Sequence, residues 1–230
     1  MTKIEAVLFD LDGTLLDSAL DFHFVLNAML SQQQKPAMSL RTLKQQVSNG
    51  ARAMVSTAFS IDEQSADFAP LKEQFLNSYL DNINVKSQLY PGIDDVLDYL
   101  DTHHIPWAVV TNKPEIYTDI ILKHFKLDER SASTVCPDHV THSKPDPEAL
   151  FLACKQMSVA AENCWYVGDH LRDIQAGKAA GMYTVGCEYG YLNQDEKAID
   201  WQSDIIINQP IELIAHIELH LKRPTSQSNL

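Results

Sequence analysis

The chain is poor in positive charge: 18 Lys and Arg stand against 31 Asp and Glu, a formal net charge of −13 over 230 residues. Nucleic-acid binding leaves a basic face as its footprint, so this balance argues against a DNA or RNA partner. Cysteine is scarce too. Cys136, Cys154, Cys164 and Cys187 form no CxxC pair and no metal-ligand spacing, which fits reduced, mostly buried thiols of a cytosolic protein. No apolar run approaches the ~18 residues of a membrane helix. No signal peptide is expected ahead of Lys3, and neither a repeat nor a low-complexity run stands out. The expectation is a cytoplasmic protein with no membrane partner. His216 and His220 are four apart on an expected C-terminal helix, but with no third ligand they read as a solvated face rather than a zinc site.

Carboxylate is plentiful, and its placement is informative. Asp10-Leu11-Asp12-Gly13-Thr14 follows the apolar run Ile4 to Phe9, which reads as a buried strand ended by a glycine turn. Two carboxylates two residues apart face the same way, and the carboxyl ends of strands are where open α/β sheets build their sites. Like charges that close need a divalent cation or a split acid/base pair to compensate them. An acidic surface turn is the alternative reading, since Asp and Gly are ordinary turn residues.

Three further segments fall in similar positions. Thr111 and Asn112 end the apolar run 105–110, where a hydroxyl and an amide can hold a phosphoryl oxygen. They also suit a plain turn before Lys113-Pro114. Lys144 stands ahead of two prolines that flank Asp146, so its ammonium can be fixed to neutralise a carboxylate and a phosphate; an exposed lysine at a helix start is the alternative. Asp169 and Asp173 follow the apolar stretch 164–167. A helix beginning at that strand end would stack them on one face, where oxygen ligands suit Mg²⁺. Acidic residues also gather at helix N-termini for dipole reasons alone.

Together the four segments resemble the motifs of the haloacid dehalogenase superfamily of phosphohydrolases: DxDGT, a Thr or Ser after the second strand, a Lys, and GDxxxD. The resemblance runs from Lys3 to about Ile214. It implies Asp10 as nucleophile through an aspartyl-phosphate and Asp12 as general acid and base. It further implies Mg²⁺ held by Asp10, the Asp12 carbonyl, Asp169 and Asp173, with Thr111, Asn112 and Lys144 on the phosphoryl group. His170 departs from the commoner small or acidic residue, which touches only the surroundings of the metal. Within the superfamily the pattern resembles the phosphoglycolate phosphatase group. The strings NGARAMVSTAF, VTNKP, CPDHVTHSKPDPEAL and GDHLRDIQAGKAAG are more closely similar to a bacterial group acting on N-acetylmuramic acid 6-phosphate. The partner so implied is a small phosphate ester, handled by a monomer or weak homodimer. An inactive phosphate-binding regulator on the same fold is the reading from another class, and the filled catalytic positions weigh against it.

The order of elements agrees. Between Asp17 and about Leu89 only helical spacing appears, as in Phe22, Val25, Leu26 and Met29. From Tyr90 helix and strand alternate: helices at 93–103, 115–125, 147–157, 173–180 and 211–222, strands at 105–111, 133–136, 164–168, 182–187 and 204–207. This predicts an α/β fold, a doubly wound parallel sheet of 1–16 and 90–223 with a helical cap, 17–89, inserted after the first strand. The resemblance adds the Rossmann-like core and this type of cap. A frayed tail is expected at 224–230. The cap turn Asn49-Gly50-Ala51-Arg52 presents a cation that could engage a substrate carboxylate or simply lie in solvent.

Overall fold

Strands that read as continuous apolar runs need cover on both sheet faces. The structure, a computed structural model, describes residues 4–193 and 196–222. The chain opens with β1 (Ala6–Phe9) and β2 (Leu16–Asp17). Four helices follow, α1 (Ala19–Gln32), α2 (Leu40–Val47), α3 (Gly50–Phe59) and α4 (Phe68–Asp81), then β3 (Gln88–Leu89). Next come α5 (Ile93–Thr102), β4 (Trp107–Val110), α6 (Glu115–His124) and β5 (Ser133–Val135). The chain continues through α7 (Glu148–Met157), β6 (Cys164–Gly168), α8 (Leu171–Ala179) and β7 (Tyr183–Cys187). β8 (Ile205–Ile207) and α9 (Glu212–Lys222) complete it.

Six strands form one parallel sheet in the order β5-β4-β1-β6-β7-β8, with Val7 opposite both Trp107 and Trp165. The two-residue period sends Val7, Phe9, Trp107 and Val109 into a layer with α5, α6 and α9. Ala6, Leu8, Ala108 and Val110 go into the other layer with α7 and α8. Each Leu or Phe so buried contributes about 1.5–3 kcal/mol. The chain leaves β1 toward β4 on one side and returns to β6 on the other, so a crevice opens beyond the carboxyl end of β1.

Helices α1 to α4 enclose an apolar cluster of their own, with Phe22, Leu26, Leu43, Val55, Phe75 and Tyr79 at its centre. Phe22 and Tyr79 pack with ring centroids 4.4 Å apart. Ser39 caps α2 by accepting from Thr42 N at 3.1 Å. This helical segment is pinned at its base. β2 and β3 pair antiparallel, Leu16 with Leu89 and Asp17 with Gln88. Beside them Asp21 is fully buried and accepts from Asn84 N at 2.8 Å, Lys86 N at 2.6 Å, Ser87 N at 3.3 Å and the Ser87 hydroxyl.

Several details differ from expectation. β2 and β3 are two residues each, too short to carry a periodic signal. Helix α8 begins at Leu171 rather than 173, so Asp169 stands ahead of the helix and not on its face. His220 is only partly solvated: its ring packs edge-on to Trp165 with centroids 5.3 Å apart. All four cysteines are free and buried, as expected. No helix among the described residues is long and apolar enough to cross a membrane. The tail at 224–230 lies outside the described residues.

Asp21→Ala strands several backbone donors at the base of the helical segment. It should lower the unfolding free energy by about 2–4 kcal/mol in a urea titration. A loss below about 1 kcal/mol would show that these bonds do not hold the base together.

Candidate active site

The carboxyl ends of β1, β4 and β6 deliver Asp10, Thr111 and Asp169 to one place, and the loop before α7 adds Lys144. Asp10, Asp169 and Asp173 each offer a carboxylate oxygen, all within 4.8 Å of one another. Lys144, 4% exposed, answers them: its Nζ lies 2.9 Å from Asp10 Oδ1 and 2.8 Å from Asp173 Oδ1. The same ammonium donates to Val110 O at 3.0 Å and to the Tyr166 hydroxyl at 2.7 Å. Burial alone would lower the Lys144 ammonium, but Asp10 and Asp173 outweigh it and hold its pKa above the ordinary lysine value.

With all three carboxylates ionised, the one ammonium would leave two negative charges. Burial raises Asp169 well above the usual carboxylate range, and Asp10 and Asp173 push it further. Asp10 is raised by burial, against the pull of Lys144 and with the push of Asp173. Its Oδ1 has no aligned hydrogen bond despite the nearby ammonium. Asp169 accepts from Tyr191 N at 2.8 Å and from Thr14 Oγ1 at 3.4 Å. An oxygen-only donor set with a buried, unsatisfied oxygen and two uncompensated charges fits Mg²⁺. Glycines make room for the Asp169 side chain: Gly13 (φ +85°) and Gly190 both lie where a Cβ would overlap it.

Asp173 sits where the two sequence readings coincide. It is the third residue of α8 and accepts from His170 N at 3.1 Å, closing a capping box, while its other oxygen meets Lys144. His170 Nδ1 accepts from Arg172 N and Nε, both at 3.1 Å. Burial and then Arg172 press the imidazole pKa down to about 4, so His170 is neutral near pH 7. The Arg172 guanidinium donates across to Ser48 O in the α2–α3 turn.

Lys113 is the residue that sequence reasoning passed over. Its Nζ donates to both Asp12 oxygens, at 3.0 and 3.1 Å, and lies over the rings of Phe22 at 4.8 Å and Tyr79 at 5.0 Å. Burial opposes its charge, but Asp12 and then Tyr79 raise its pKa. Its signal was its place beside Thr111 and Asn112.

The structure also sorts the expected phosphate ligands. Thr111 is buried and its Oγ1 accepts from Lys113 N at 3.1 Å. Asn112 is committed to the Lys144 backbone, donating to its carbonyl at 3.0 Å and accepting from its N–H at 3.2 Å, so the amide fixes the lysine loop. A cavity of about 600 Å³ joins Asp10, Asp12, Thr111 and Lys144 to the helical segment. Asn49, Gly50 and Arg52 line it as well, but the Arg52 guanidinium is bound to Glu63, Nε to Oε2 at 2.8 Å, and its side chain is 64% exposed.

Residues 7–187 match the family of haloacid dehalogenase-like hydrolases, and the chain belongs to it. It is a phosphatase of that family: the chain is 42% identical over 211 residues to an N-acetylmuramic acid 6-phosphate phosphatase of Pseudomonas putida, covering 92% of this chain and 95% of that one. It is 41% identical over 208 residues to a phosphoglycolate phosphatase of Xanthomonas campestris, covering 90% and 94%. A crystal structure of a predicted phosphoglycolate phosphatase from Haemophilus somnus superposes with a TM-score of 0.83 at 28% identity, covering 94% and 99%.

Gly190→Ala places a methyl group against Asp169 and should lower phosphate release at least ~10-fold, the cost of displacing one ligand of a charge cluster. Circular dichroism should show the fold retained. Wild-type rates in a folded variant would mean that Asp169 needs no such space.

Proposed function

We propose that this phosphatase hydrolyses a small phosphorylated sugar acid, with N-acetylmuramic acid 6-phosphate as the best single substrate, in the cytoplasm and with Mg²⁺. The observation that carries the chemistry is the meeting of Asp10, Asp169, Asp173 and Lys144 at the floor of the cavity. Two uncompensated negative charges at that floor would repel a phosphoryl group, so a cation is needed before substrate can bind. Asp10, the Asp12 carbonyl, Asp169 and Asp173 would hold the Mg²⁺, which supplies charge neutralisation for the transferring group.

The residues divide the work. An Asp10 carboxylate oxygen attacks phosphorus, forming the acyl-phosphate bond as the ester P–O bond breaks. Asp12 gives a proton to the departing alkoxide. In the second half, Asp12 takes a proton from water as that water attacks the aspartyl-phosphate, releasing inorganic phosphate and restoring Asp10. The proton gained is the one returned to the leaving group in the next cycle. Lys113 fixes the Asp12 carboxylate in the orientation that accepts the proton. Lys144 neutralises Asp10, and Thr111 lies within the same cavity for the phosphoryl oxygens.

Two features favour a sugar acid over 2-phosphoglycolate, the alternative offered by other relatives. The 600 Å³ cavity is in the range that encloses ligands far larger than a two-carbon acid. Its accessible apolar lining is Leu76, Ile116 and Tyr117, and the Tyr117 ring is suited to pack on a sugar.

Asp10→Asn removes the nucleophilic oxygen without changing shape. Turnover should fall at least ~10³-fold, the scale of losing a covalent nucleophile, and rapid acid quench with substrate should trap phosphoryl protein in wild type only. Near wild-type phosphate release from the variant would rule out the covalent route.

A further inference from the structure

We infer that Lys72, on α4, is the specificity-determining residue that reads a substrate carboxylate held far from the phosphoryl group. This rests on the sugar-acid reading above and locates its carboxylate. The cations facing the cavity are not equivalent. Lys144 is held by Asp10 and Asp173, and Lys113 by Asp12. Arg172 is spent on Ser48 O and His170, and Arg52 on Glu63. Lys72 alone lines the cavity half-buried and without a partner among the described residues. A cation so placed can take up an anion without first breaking an ion pair.

Its position on the helix sets the distance. Lys72, Phe75, Leu76 and Tyr79 follow the i, i+3, i+4, i+7 spacing, so one face of α4 is turned into the cavity. From Lys72 to Tyr79 is about 10 Å along the axis. The Tyr79 end is the chemical end, because its ring packs against Lys113, which holds Asp12. The accessible wall between is the half-buried Leu76, with the buried Phe75 ring behind it. A ligand spanning this face has a phosphate at one end, an apolar or ring-shaped middle and an anion at the other. In 2-phosphoglycolate the carboxylate sits on the very carbon that bears the ester, too near the phosphate to reach Lys72. In N-acetylmuramic acid 6-phosphate the lactyl ether is on C3 and the phosphate on C6, so part of the ring and several further bonds separate the carboxylate from the ester.

The test is steady-state kinetics of wild type, Lys72→Met, Lys72→Arg and Arg52→Ala. Substrates are N-acetylmuramic acid 6-phosphate, N-acetylglucosamine 6-phosphate, which lacks the lactyl group, 2-phosphoglycolate and an aryl phosphate. Wild type should prefer the acid over the neutral sugar. In Lys72→Met that kcat/KM ratio should collapse about 10- to 100-fold, the scale of a lost charge-assisted bond, with the change carried mainly by KM. Lys72→Arg should keep most of the preference, and 2-phosphoglycolate should not share the loss. A preference that survives in Lys72→Met, or that falls in Arg52→Ala instead, would overturn the assignment of Lys72 while leaving the sugar-acid reading intact. Wild type that cleaves aryl phosphate but shows no preference for the acid would overturn both.

Discussion

Three carboxylates packed into one buried corner are the constraint on which the site depends. At separations of up to 4.8 Å and an effective dielectric of ~20, each pair repels by about 3–4 kcal/mol. Summed over the three pairs this rivals the whole stability of a typical domain, about 5–15 kcal/mol. Lys144 relieves Asp10 and Asp173, and the Tyr191 and Thr14 donors soften Asp169. With all three ionised, two negative charges remain. Such a charge at the floor of the cavity is what the proposed divalent cation would compensate.

The rest of the architecture serves that corner. The parallel sheet brings three strand ends together at a switch point, which no single helix or loop could do with comparable rigidity. The chain is strongly acidic overall, yet its cavity carries Lys72, Lys113, Lys144 and Arg172. Cations outnumber carboxylates in the cavity lining, the reverse of the chain as a whole. The helical segment contributes to the site as well. Its Phe22 and Tyr79 rings lie beside the Lys113 ammonium that holds Asp12, so the core of the helical segment reaches that carboxylate.

Much of this was legible in the chain. Asp10, Asp12, Thr111, Lys144, Asp169 and Asp173 could be read because strand ends and turn glycines mark the carboxyl edge of a sheet, and their chemistry is of one kind. The structure brings all six together. The layered alternation of Val7 and Phe9 against Ala6 and Leu8 was legible for the same periodic reason. Other features had no local signal. Lys113 meets Asp12 across 101 residues, and Arg52 meets Glu63 through a turn whose geometry the spacing does not encode. Asn112 looked like a phosphate ligand, but its amide closes on Lys144 because the two loops are adjacent in space, 32 residues apart in sequence.

The central claim, a divalent cation demanded by the charge of the site, is tested most directly by thermal unfolding with and without Mg²⁺. Binding to the folded state alone stabilises by about 2.7 kcal/mol at a hundredfold excess over Kd. The melting midpoint of the wild type should therefore climb with Mg²⁺ concentration, and Asp169→Ala and Asp173→Ala should flatten the response. A midpoint identical in Mg²⁺ and in chelator, in protein that still releases phosphate, would contradict the account.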